Sequence, residues 1–501
     1  MKIFLSLFWI TLLLSMYLSV SSAQSVYYVN ATTGNNTSGN GTAVSPFKTI
    51  TKALSASTLA GDSIKVSVGT YTTALGETFP IEMLTGRKLI GTAGAQSTII
   101  LGGYGKRVFN CVTNSAATVI QGFTITGGYV SDTTSGGATS KGGGIYIEGG
   151  SPIIQNNIIT YNISRGYDFY QAGLGANNGG TCYGGGIYIA IGGAPTIRNN
   201  VISNNIAQGG GGKDFRGGWS GNGSAGGNAY GGGICAAYGG NSIIVNNTFF
   251  GNKAIGGLGG SSNSLNAGDG GNASAGGIDA GGSATVKNNI FSNNAAIPGP
   301  VGGGANGSNG TADNGAVSSF ASGNLSYNLY YNNSATTNPN GSILGTNNIV
   351  GNDPLFVSDT NFHLQALSPA RKAGTATGAP ITDIEGITRT NPPSIGAYDG
   401  SGSTFVEGQK INAPKEFALE QNYPNPFNPS TVISYQIPVN SNVSLKVYDA
   451  IGREVATLVN EVKEAGNYST TFDALKLSSG IYFARLSSNG KSQMKKLLLM
   501  K

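Results

Sequence analysis

The sequence predicts an all-β protein, in which a right-handed parallel β-helix is followed by a small antiparallel Ig-like β-sandwich. One sequence repeat occurs four times between Gly142 and Asn294. A repeat with a period of tens of residues indicates stacked structural units. The chain has 81 glycines and only 10% charged residues, which favours short strands joined by turns over charged amphipathic helices. After Pro414 the pattern changes to an alternation of apolar and polar residues with period two, which is typical of antiparallel strands.

The four repeats begin at Gly142, Gly184, Gly231 and Ala275, with GGGIYIEGGSPIIQNNIITYN as the first. Each contains three predicted strands, which in the first repeat are GGIYI, PIIQ and IIT. Residues of a strand alternate between its two faces, so the apolar columns that recur must face inward. These columns are Ile145, Ile187, Ile234 and Ile278; Ile154, Ile197, Ile244 and Val286; and Ile159, Ile202, Phe249 and Phe291. Three inward columns enclose a core, and the usual crossover rule makes the coil right-handed.

An Asn-Asn pair ends the second predicted strand of every repeat, at Asn156-Asn157, Asn199-Asn200, Asn246-Asn247 and Asn288-Asn289. Asparagine tolerates the left-handed backbone of a tight bend. Stacked side-chain amides also donate hydrogen bonds from coil to coil, each contributing about 1 kcal/mol net. We therefore expect a structural asparagine ladder.

The N-terminal 23 residues have one charge at Lys2, an apolar run and a small-residue end at Ala23, which is the layout of a secretory signal peptide. Val26 to Val29 forms a predicted strand. Ser45 is expected to cap a helix whose first position is Pro46, with Phe47, Ile50 and Leu54 on its apolar face. The segments YYVN, GNGTAVSPFKTITKAL and GDSIKVSVGTY resemble the opening of bacterial parallel β-helix proteins, which implies that this helix covers the end of the first coil. From Leu84 to Gly128, short apolar runs are interpreted as coils without long loops.

Long glycine-rich loops separate the repeats and leave the coil at one corner, so they must stack along one side. Loops of this length are usually functional or disordered. The first two carry aromatic and charged groups suited to an extended glycan or another surface polymer. Seven of these residues are the candidate ligand-binding set: Tyr167, Asp168, Phe169, Lys213, Asp214, Arg216 and Trp219. The last two loops have almost no such groups, and the expectation there is solvated glycine only.

Composition excludes several kinds of site. The net charge of +6 is small for 501 residues and forms no basic block outside the last few residues, which argues against nucleic acid as a partner. Cys111, Cys182 and Cys235 with a single histidine exclude a Cys and His zinc site. Buried thiols are favoured over a bridge between Cys182 and Cys235. No cofactor is predicted; GDGG at Gly268 leaves a Ca²⁺ loop as the alternative.

A segment after Asn324 resembles the closing segment of the same β-helix families. The matching residues are Asp353, Pro354, Phe356, His363, Ser368 and Pro369, followed by Asp383, Gly386, Arg389, Gly396, Ala397 and Tyr398. Many such segments have Asp where this chain has Ser394, which leaves the partner of Arg389 open. His363 is expected in a strand of a terminal coil with a structural role.

The C-terminal stretch contains QNYPNPFNPST, VSLKVYDAIGREV, AGNY, SSGIYFARL and KKLLLMK, and divides into about seven strands. It resembles the type A C-terminal sorting domain of proteins exported by the type IX secretion system. The resemblance implies recognition through Lys495, Lys496, Leu497, Lys501 and the turn around Gly452. It also implies the secretion machinery as a partner, with passage through the outer membrane and a secreted or cell-surface location.

The predicted organisation is a signal peptide at 1–23, the β-helix at 24–400, a linker at 401–414 and the sorting domain at 415–501, with no transmembrane segment in the mature chain. Two functions remain open. The first is noncatalytic binding of a glycan or another surface polymer through the stacked loops. The second is a polysaccharide lyase or glycoside hydrolase of the pectate-lyase-like class, because parallel β-helices host such enzymes. Hydrolysis needs two facing carboxylates, and no two acids align on adjacent repeats; the residues therefore favour binding and leave catalysis unsettled.

Overall fold

A computed structural model describes residues 24–103, 105–131, 139–169, 178–215, 221–237, 240–263, 265–282, 284–320, 325–338, 340, 345–399, 417–422, 425, 427, 430–463 and 466–499. The chain divides into two compact units, residues 1–402 and 403–501. The predicted signal peptide and linker lie outside the described residues. No helix in the described ranges is long and apolar enough to cross a membrane.

The first unit is a stack of parallel strands that form five sheets, named here in the order in which the chain meets them within a repeat. Sheet 1 contains Ile81–Glu82, Phe109–Val112, Ile145–Glu148, Ile187–Ile189, Ile234–Ala236, Ile278–Gly282 and Val317–Phe320. Sheet 2 contains Val26–Val29, Ser63–Val66, Lys88–Gly91, Val119–Gln121, Ile153–Gln155, Thr196–Arg198, Ile243–Val245, Thr285–Lys287, Leu325–Ser326 and Gly345–Thr346. Sheet 3 contains Gly69–Tyr71, Thr98–Leu101, Thr124–Thr126, Ile158–Thr160, Val201–Ser203, Thr248–Phe250, Ile290–Ser292, Leu329–Tyr331 and Ile349–Val350. The predicted parallel β-helix is confirmed, and its hand remains a prediction of the crossover rule.

Two shorter sheets were missed by the prediction of three strands per repeat. Sheet 4 contains Tyr129–Ser131, Ile163–Arg165, Ile206–Gln208, Lys253–Ile255 and Ala295–Ile297. Sheet 5 contains Ser140–Lys141, Cys182–Tyr183, Ala229–Tyr230, Ala273–Ser274 and Ala312–Asp313. Small buried side chains such as Cys182, Ala207 and Ala229 lie between these two sheets, which lets them pack closely as the chain leaves and rejoins the coil.

The three predicted apolar columns fill the core of the coil. Ile145 pairs with Ile187, Ile154 with Ile197, and Ile159 with Ile202, and all six side chains are fully buried. Parallel pairing places identical positions of successive coils above one another, so each column becomes a continuous apolar stripe.

The predicted asparagine ladder is confirmed. Asn156 has a φ of 55°, and the side chain of the next residue, Asn157, continues the ladder. Asn157 donates from Nδ2 to Oδ1 of Asn200 over 3.2 Å, and Asn200 donates to Asn247 over 3.0 Å. A second ladder lies between sheets 3 and 4, where Asn162 donates to Oδ1 of Asn205 over 3.0 Å. The sequence contains its signal, because in every repeat an Asn follows the second Asn of the pair by the same interval.

The N-terminal helix spans Ile50–Ala56, so the predicted start at Pro46 with Ser45 as cap is wrong. Thr49 is the cap, and Phe47 instead bridges Val29 of the first strand. Buried Glu77 accepts hydrogen bonds from the backbone nitrogens of Ile50 and Thr51, which satisfies donors that a helix start leaves open. The helix packs on the core beside the first strands through Ile50, Ala53 and Leu54.

The closing segment does not add a coil. Phe356–Ser358 and Asn361–Leu364 form an antiparallel pair, so the placement of His363 in a coil strand is wrong. Phe362 and Tyr398 pack with Val201 and Phe250 against the outer side of sheet 3. The segment therefore covers apolar residues that would otherwise face solvent.

Arg389 is the buried anchor of this segment, and its open partner is identified as Asp399. The guanidinium lies 3.7 Å from Oδ1 of Asp399 and donates from Nη2 to Oδ1 of Asn199 over 2.7 Å. Burial lowers the pKa of Arg389 to about 10. Ser394 donates to the backbone oxygen of Asp399, five residues later in the chain.

The second unit consists of seven described antiparallel strands in two sheets, as predicted. One sheet contains Ala418–Leu419, Ser430–Ile437 and Gly466–Asp473; the other contains Glu454–Lys463, Ser441–Asp449, Gly480–Ser488 and Lys491–Leu499. Their inner faces share one apolar core that includes Leu445, Phe472 and Leu497.

Candidate functional site

The described parts of the glycine-rich loops pack against one another in two layers. Four arms leave sheet 4 at 166–169, 209–215, 256–262 and 298–304, and four arms return to sheet 5 at 178–181, 221–228, 265–272 and 305–311. We call the two stacked layers of outgoing and returning arms the glycine slab. Gly256, Gly257, Gly259, Gly260, Gly268, Gly270 and Gly271 of the third loop are buried, so the expectation of solvated glycine is wrong for that loop. In the fourth loop Gly299 and Gly302 are buried, whereas Gly303 and Gly304 are exposed.

Backbone hydrogen bonds join the arms with a period of three residues. Within the outgoing layer, the nitrogens of Gly209, Gly212 and Phe215 donate to the next coil's arm over 2.7–2.8 Å. Between layers, the backbone nitrogen of Gly227 donates to the oxygen of Gly210 over 2.8 Å. The backbone nitrogen of Gly257 donates to the oxygen of Gly227 over 2.8 Å. Three residues per turn is the period of the polyproline II helix, whose backbone makes no internal hydrogen bonds and so offers them to neighbours.

Two of every three slab positions face a neighbouring arm, and this explains the glycines. A Cβ on Gly257 would lie 1.9 Å from the carbonyl oxygen of Gly210. A Cβ on Gly211, at the third position, would meet nothing closer than 3.6 Å. The resulting G-G-x pattern is visible in GGLGGS and GDGGNA, and the absence of a bulky side chain at two positions in three was the signal that could have found the slab.

The predicted ligand-binding carboxylates have backbone partners in the slab. Oδ1 of Asp168 accepts the backbone nitrogen of Gly211 over 2.7 Å, while Oδ2 pairs with Arg165 over 2.6 Å. Oδ1 of Asp214 accepts the backbone nitrogen of Ser261 over 2.6 Å. Each acid thus satisfies an outward N–H of the next coil, and this packing role accounts for its position.

The other predicted loop residues divide between buried and half-buried positions. Phe169 is 7% exposed and lies 4.8 Å from the half-buried ring of Tyr167. Lys213 is 2% exposed, with its amine 4.8 Å from the ring centre of Phe215. Arg216 and Trp219 lie outside the described residues. The five described residues of the predicted set are therefore not gathered into one solvent-facing site.

A row of tyrosines that the sequence interpretation passed over lies where sheets 1 and 5 meet. We call Tyr146, Tyr183, Tyr188 and Tyr230 the tyrosine face. Tyr146 and Tyr188 stack at 5.7 Å on successive coils of sheet 1, and Tyr183 and Tyr230 stack at 5.2 Å on successive coils of sheet 5. Tyr183 approaches Tyr188 within 5.9 Å and joins the two stacks.

Charged groups flank the tyrosine face. The Arg107 guanidinium lies 4.5 Å from the ring centre of Tyr146, and the Lys141 amine lies 5.4 Å from that of Tyr188. Glu148 accepts a hydrogen bond from the Tyr146 hydroxyl over 3.2 Å. Burial raises the pKa of Tyr188 to about 12 and also raises the pKa values of Tyr183 and Tyr230.

In the column of sheet 1 that contains Tyr188, the next two strands carry Cys235 and then Asp279. Both side chains are smaller than a tyrosine ring. Burial raises the pKa of this carboxyl, and the nearby hydroxyls of Ser274 and Ser318 lower it less. Glu148 and Asp279 stand three coils apart in sheet 1, which is about 14 Å at the usual strand spacing. Paired carboxylates of glycosidases are about 5–9.5 Å apart, so these two acids do not form such a pair.

The three cysteines are free and buried, as favoured from the sequence, and burial raises the pKa values of Cys111, Cys182 and Cys235. In the described part of the chain, no group of three or more His, Cys, Asp or Glu side chains is placed to hold a metal ion. Asp269 of the GDGG loop accepts the backbone nitrogen and hydroxyl of Ser308.

The sorting residues lie on the last strand of the second unit. Leu497 is buried in the core, Lys495 is half-buried and Lys496 is exposed, while Lys501 is outside the described residues. Asn425 of the QNYPNPFNPST motif accepts from the backbone nitrogen of Leu498 over 2.8 Å and donates to the oxygen of Lys496 over 3.1 Å. Gln421 donates to that oxygen over 2.7 Å. The motif therefore covers the free edge of the last strand, which blunts edge-to-edge pairing.

The turn around Gly452 is tied by Asp449. Gly452 has a φ of 84°, and Oδ1 of Asp449 accepts the backbone nitrogens of Ile451 and Arg453 over 3.1 and 2.9 Å. The Asp449 side chain thus holds the loop, while the neighbouring Ile451 is 75% exposed.

Comparisons with known proteins assign the second unit. Residues 421–500 match the family model described as the secretion system C-terminal sorting domain. Among solved structures, a native GH136 lacto-N-biosidase from Eubacterium ramulus aligns at 9% identity over 65% of this chain and 68% of that chain, with a TM-score of 0.20, a similarity too low to carry an argument. The comparison with curated proteins finds no match. The C-terminal unit carries a type IX sorting domain, which supports export to the cell surface or the medium.

Proposed function

We propose that this chain is an exported, noncatalytic protein that binds a glycan or another surface polymer along its β-helix. The observation that carries the proposal is the tyrosine face, where the half-buried rings of Tyr146, Tyr183 and Tyr230 stand on three successive coils. The ring of Tyr188, only 7% exposed, packs between them at 5.7–5.9 Å and holds them in a row. Aromatic rings with polar edges supply large contact areas and hydrogen-bond donors to sugars at low entropic cost.

The direction of the face supports an extended ligand. The tyrosines of each stack belong to successive coils, so the face runs along the axis of the stack. A polymer lying in this direction meets phenol groups one after another, with Lys141 beside them. A compact ligand would contact only part of the row.

The arrangement supports binding more than chemistry. Glu148 beside the tyrosines stands two strands from Glu82 and three strands from Asp279 in sheet 1. Asp168 and Asp214 of the slab already satisfy backbone donors. The alternative, a lyase or hydrolase, would have Glu82, Glu148 and Asp279 as the described acids of sheet 1, and no two of them lie on adjacent strands. Contact of a ligand with Tyr167, Arg216 and Trp219 stays a prediction from the sequence.

The test is binding of the mature protein to a panel of soluble oligosaccharides, followed by calorimetry with the best ligand. Tyr183→Ala and Tyr230→Ala should each weaken binding by roughly tenfold, the loss typical of an aromatic hot spot. Tyr28→Ala is the matched control, because Tyr28 also lies beside a lysine, 5.8 Å away, but on the outer side of sheet 2. Equal affinities for wild type and both variants would refute the tyrosine face, and release of reducing ends or unsaturated sugars would refute the noncatalytic assignment.

Export is tested separately in a host that has the type IX machinery. Removal of the last seven residues takes away Lys495, Lys496, Leu497 and Lys501 together with most of the strand that closes the second sheet. The truncated protein should accumulate in the periplasm, as judged by fractionation. Normal surface display of the truncated protein would contradict the role of this strand in sorting.

A further inference from the structure

The returning arms of the glycine slab expose a regular array of asparagines on their outer face. We call Asn178, Asn222, Asn266 and Asn272 the asparagine face; all four are exposed. They occupy the one position in three that points away from the outgoing layer. Asp269 and Ser308 lie in the same array and are also exposed.

Most of these amides are fixed by the backbone of the next coil. Oδ1 of Asn178 accepts the nitrogen of Ala225 over 3.1 Å, and Oδ1 of Asn222 accepts that of Asn266 over 3.2 Å. Oδ1 of Asn272 accepts the nitrogen of Thr311 over 2.8 Å. Because the carbonyl end of each amide is engaged, the Nδ2 end points to solvent.

Asn266 differs from the other three asparagines because its Oδ1 accepts a hydrogen bond from a side chain, Nδ2 of Asn306, over 3.0 Å. Within the described residues, none of the four Nδ2 groups donates a hydrogen bond. The face therefore presents oriented donors whose rotamers are already restricted, so that little conformational entropy remains to be lost on binding.

The array extends in two dimensions. Neighbouring positions along one arm are three residues apart, about 9 Å in polyproline II geometry, and neighbouring arms are about 4.8 Å apart. The hydrogen-bonded layers behind it hold the array flat. A single flexible polymer chain reaches one row of such donors, whereas a flat surface of aligned chains reaches several rows together.

We propose that the asparagine face binds the surface of an ordered, insoluble, neutral polysaccharide, whose hydroxyl and ring oxygens accept hydrogen bonds from the Nδ2 groups. This inference rests on the proposed glycan binding and specifies the physical form and charge of the ligand. Neutrality follows from Asp269, which stands in the middle of the array and repels a polyanion. The backbone nitrogen and hydroxyl of Ser308 lower the pKa of Asp269 and keep it ionised.

The experiment measures adsorption of the full mature protein to particles of crystalline neutral polysaccharides, beside binding of soluble oligosaccharides of the same sugars. The key variant is Asn222→Asp with Asn272→Asp, since a carboxylate retains the oxygen that accepts the backbone N–H and loses the Nδ2 donor. Asp168 and Asp269 already make this contact in the protein, so the variant keeps the slab intact. Adsorption should weaken at least about tenfold, the factor that corresponds to about 1.4 kcal/mol.

Two matched variants sharpen the result. Asp269→Asn keeps the acceptor for Ser308 and adds a donor to the array, so adsorption should become stronger. Leu258→Asp adds one negative charge to the opposite, outgoing face, where Leu258 is 53% exposed, and adsorption should not change.

The outcomes separate the two proposals. If soluble sugars bind through the tyrosines while the Asn→Asp variant adsorbs like wild type, the asparagine face is refuted and the proposed function stands. Preferential adsorption to acidic polysaccharides would also refute it. If wild type binds neither soluble nor particulate glycans, both the proposed function and the role of the asparagine face are refuted.

Discussion

The coil and the glycine slab are made by one chain in one stack, yet different forces hold them together. In the coil, side chains such as Ile154 and Ile197 are fully buried above one another, and burial of each contributes about 1.5–3 kcal/mol. In the slab, Gly210, Gly227 and Gly257 touch through backbone atoms and are linked by hydrogen bonds of 2.8 Å. The comparison teaches that a stack tolerates long insertions when their backbones bond to one another, even with almost no apolar side chains.

The two regions also differ in how they fail. The coil should lose stability when a buried side chain is shortened or loses its hydrogen-bond partner. The slab should lose stability when a side chain is added to one of its glycines. Four substitutions test this difference, in order of decreasing effect.

Asn200→Leu should have the largest effect. Asn200 accepts from the backbone of Asn157 and donates to the oxygen of Ile154 and to Asn247. Leucine removes these three buried hydrogen bonds and leaves the backbone nitrogen of Asn157 without its acceptor. An orphaned group costs about 1–3 kcal/mol and each further lost bond about 1 kcal/mol, so the free energy of unfolding should fall by about 3 kcal/mol or more. Urea unfolding followed by circular dichroism measures the loss, and an unchanged midpoint would show that the ladder is dispensable.

Ile197→Ala should cost about 2–5 kcal/mol, because it removes a fully buried side chain and leaves a cavity in the coil. The control is Ile243→Ala on the next strand of the same sheet. Ile243 is 45% exposed, and its loss should stay within about 0.5 kcal/mol. The same urea titration compares them, and equal losses would contradict the assignment of inner and outer faces.

Gly257→Ala should cost about 1–3 kcal/mol, as overpacking does, and the damage should remain in the slab. The added Cβ would fall 1.9 Å from a backbone oxygen, which no rotamer change relieves. Hydrogen exchange should rise in the arms at 209–215 and 221–228 while the coil strands stay protected. Gly211→Ala is the matched control, because its Cβ would make only an ordinary contact at 3.6 Å; if both variants exchange alike, the slab is not close-packed.

Leu258→Ser should have the smallest effect, within about 0.5 kcal/mol. Leu258 occupies the outward third position of its arm and is 53% exposed. Its melting temperature should match that of wild type. A large loss would mean that the slab is held by outward side chains, contrary to the three-residue pattern.

Some elements were predictable residue by residue. The three apolar columns and the asparagine pairs recur at matching positions, and an exact repeat in a parallel stack must place equal residues above one another. The seven strands of the second unit followed from period-two alternation. In these regions the local pattern and the final contacts involve the same residues.

Other elements depended on partners that are distant in sequence. The helix starts at Ile50 because Phe47 bridges Val29 and because Glu77 supplies acceptors for its first turn. His363 lies in an antiparallel pair because the closing segment folds back over sheet 3. The tyrosine face was hidden because Tyr183 and Tyr188, five residues apart, belong to two sheets that meet at a glycine corner.

The sequence by itself determined the repeat, its inward columns, the ladder and the kinship of the C-terminal unit, because these are properties of each repeat or motif alone. Only the tertiary structure decided what the glycine-rich loops are. A glycine carries no side-chain pattern that distinguishes a flexible loop from a packed one, since its backbone accepts either state. The hydrogen bonds that Gly257 donates to Gly227 and that Gly227 donates to Gly210 exist only when successive coils bring the arms together. Those bonds turn the described arms into a surface with two faces.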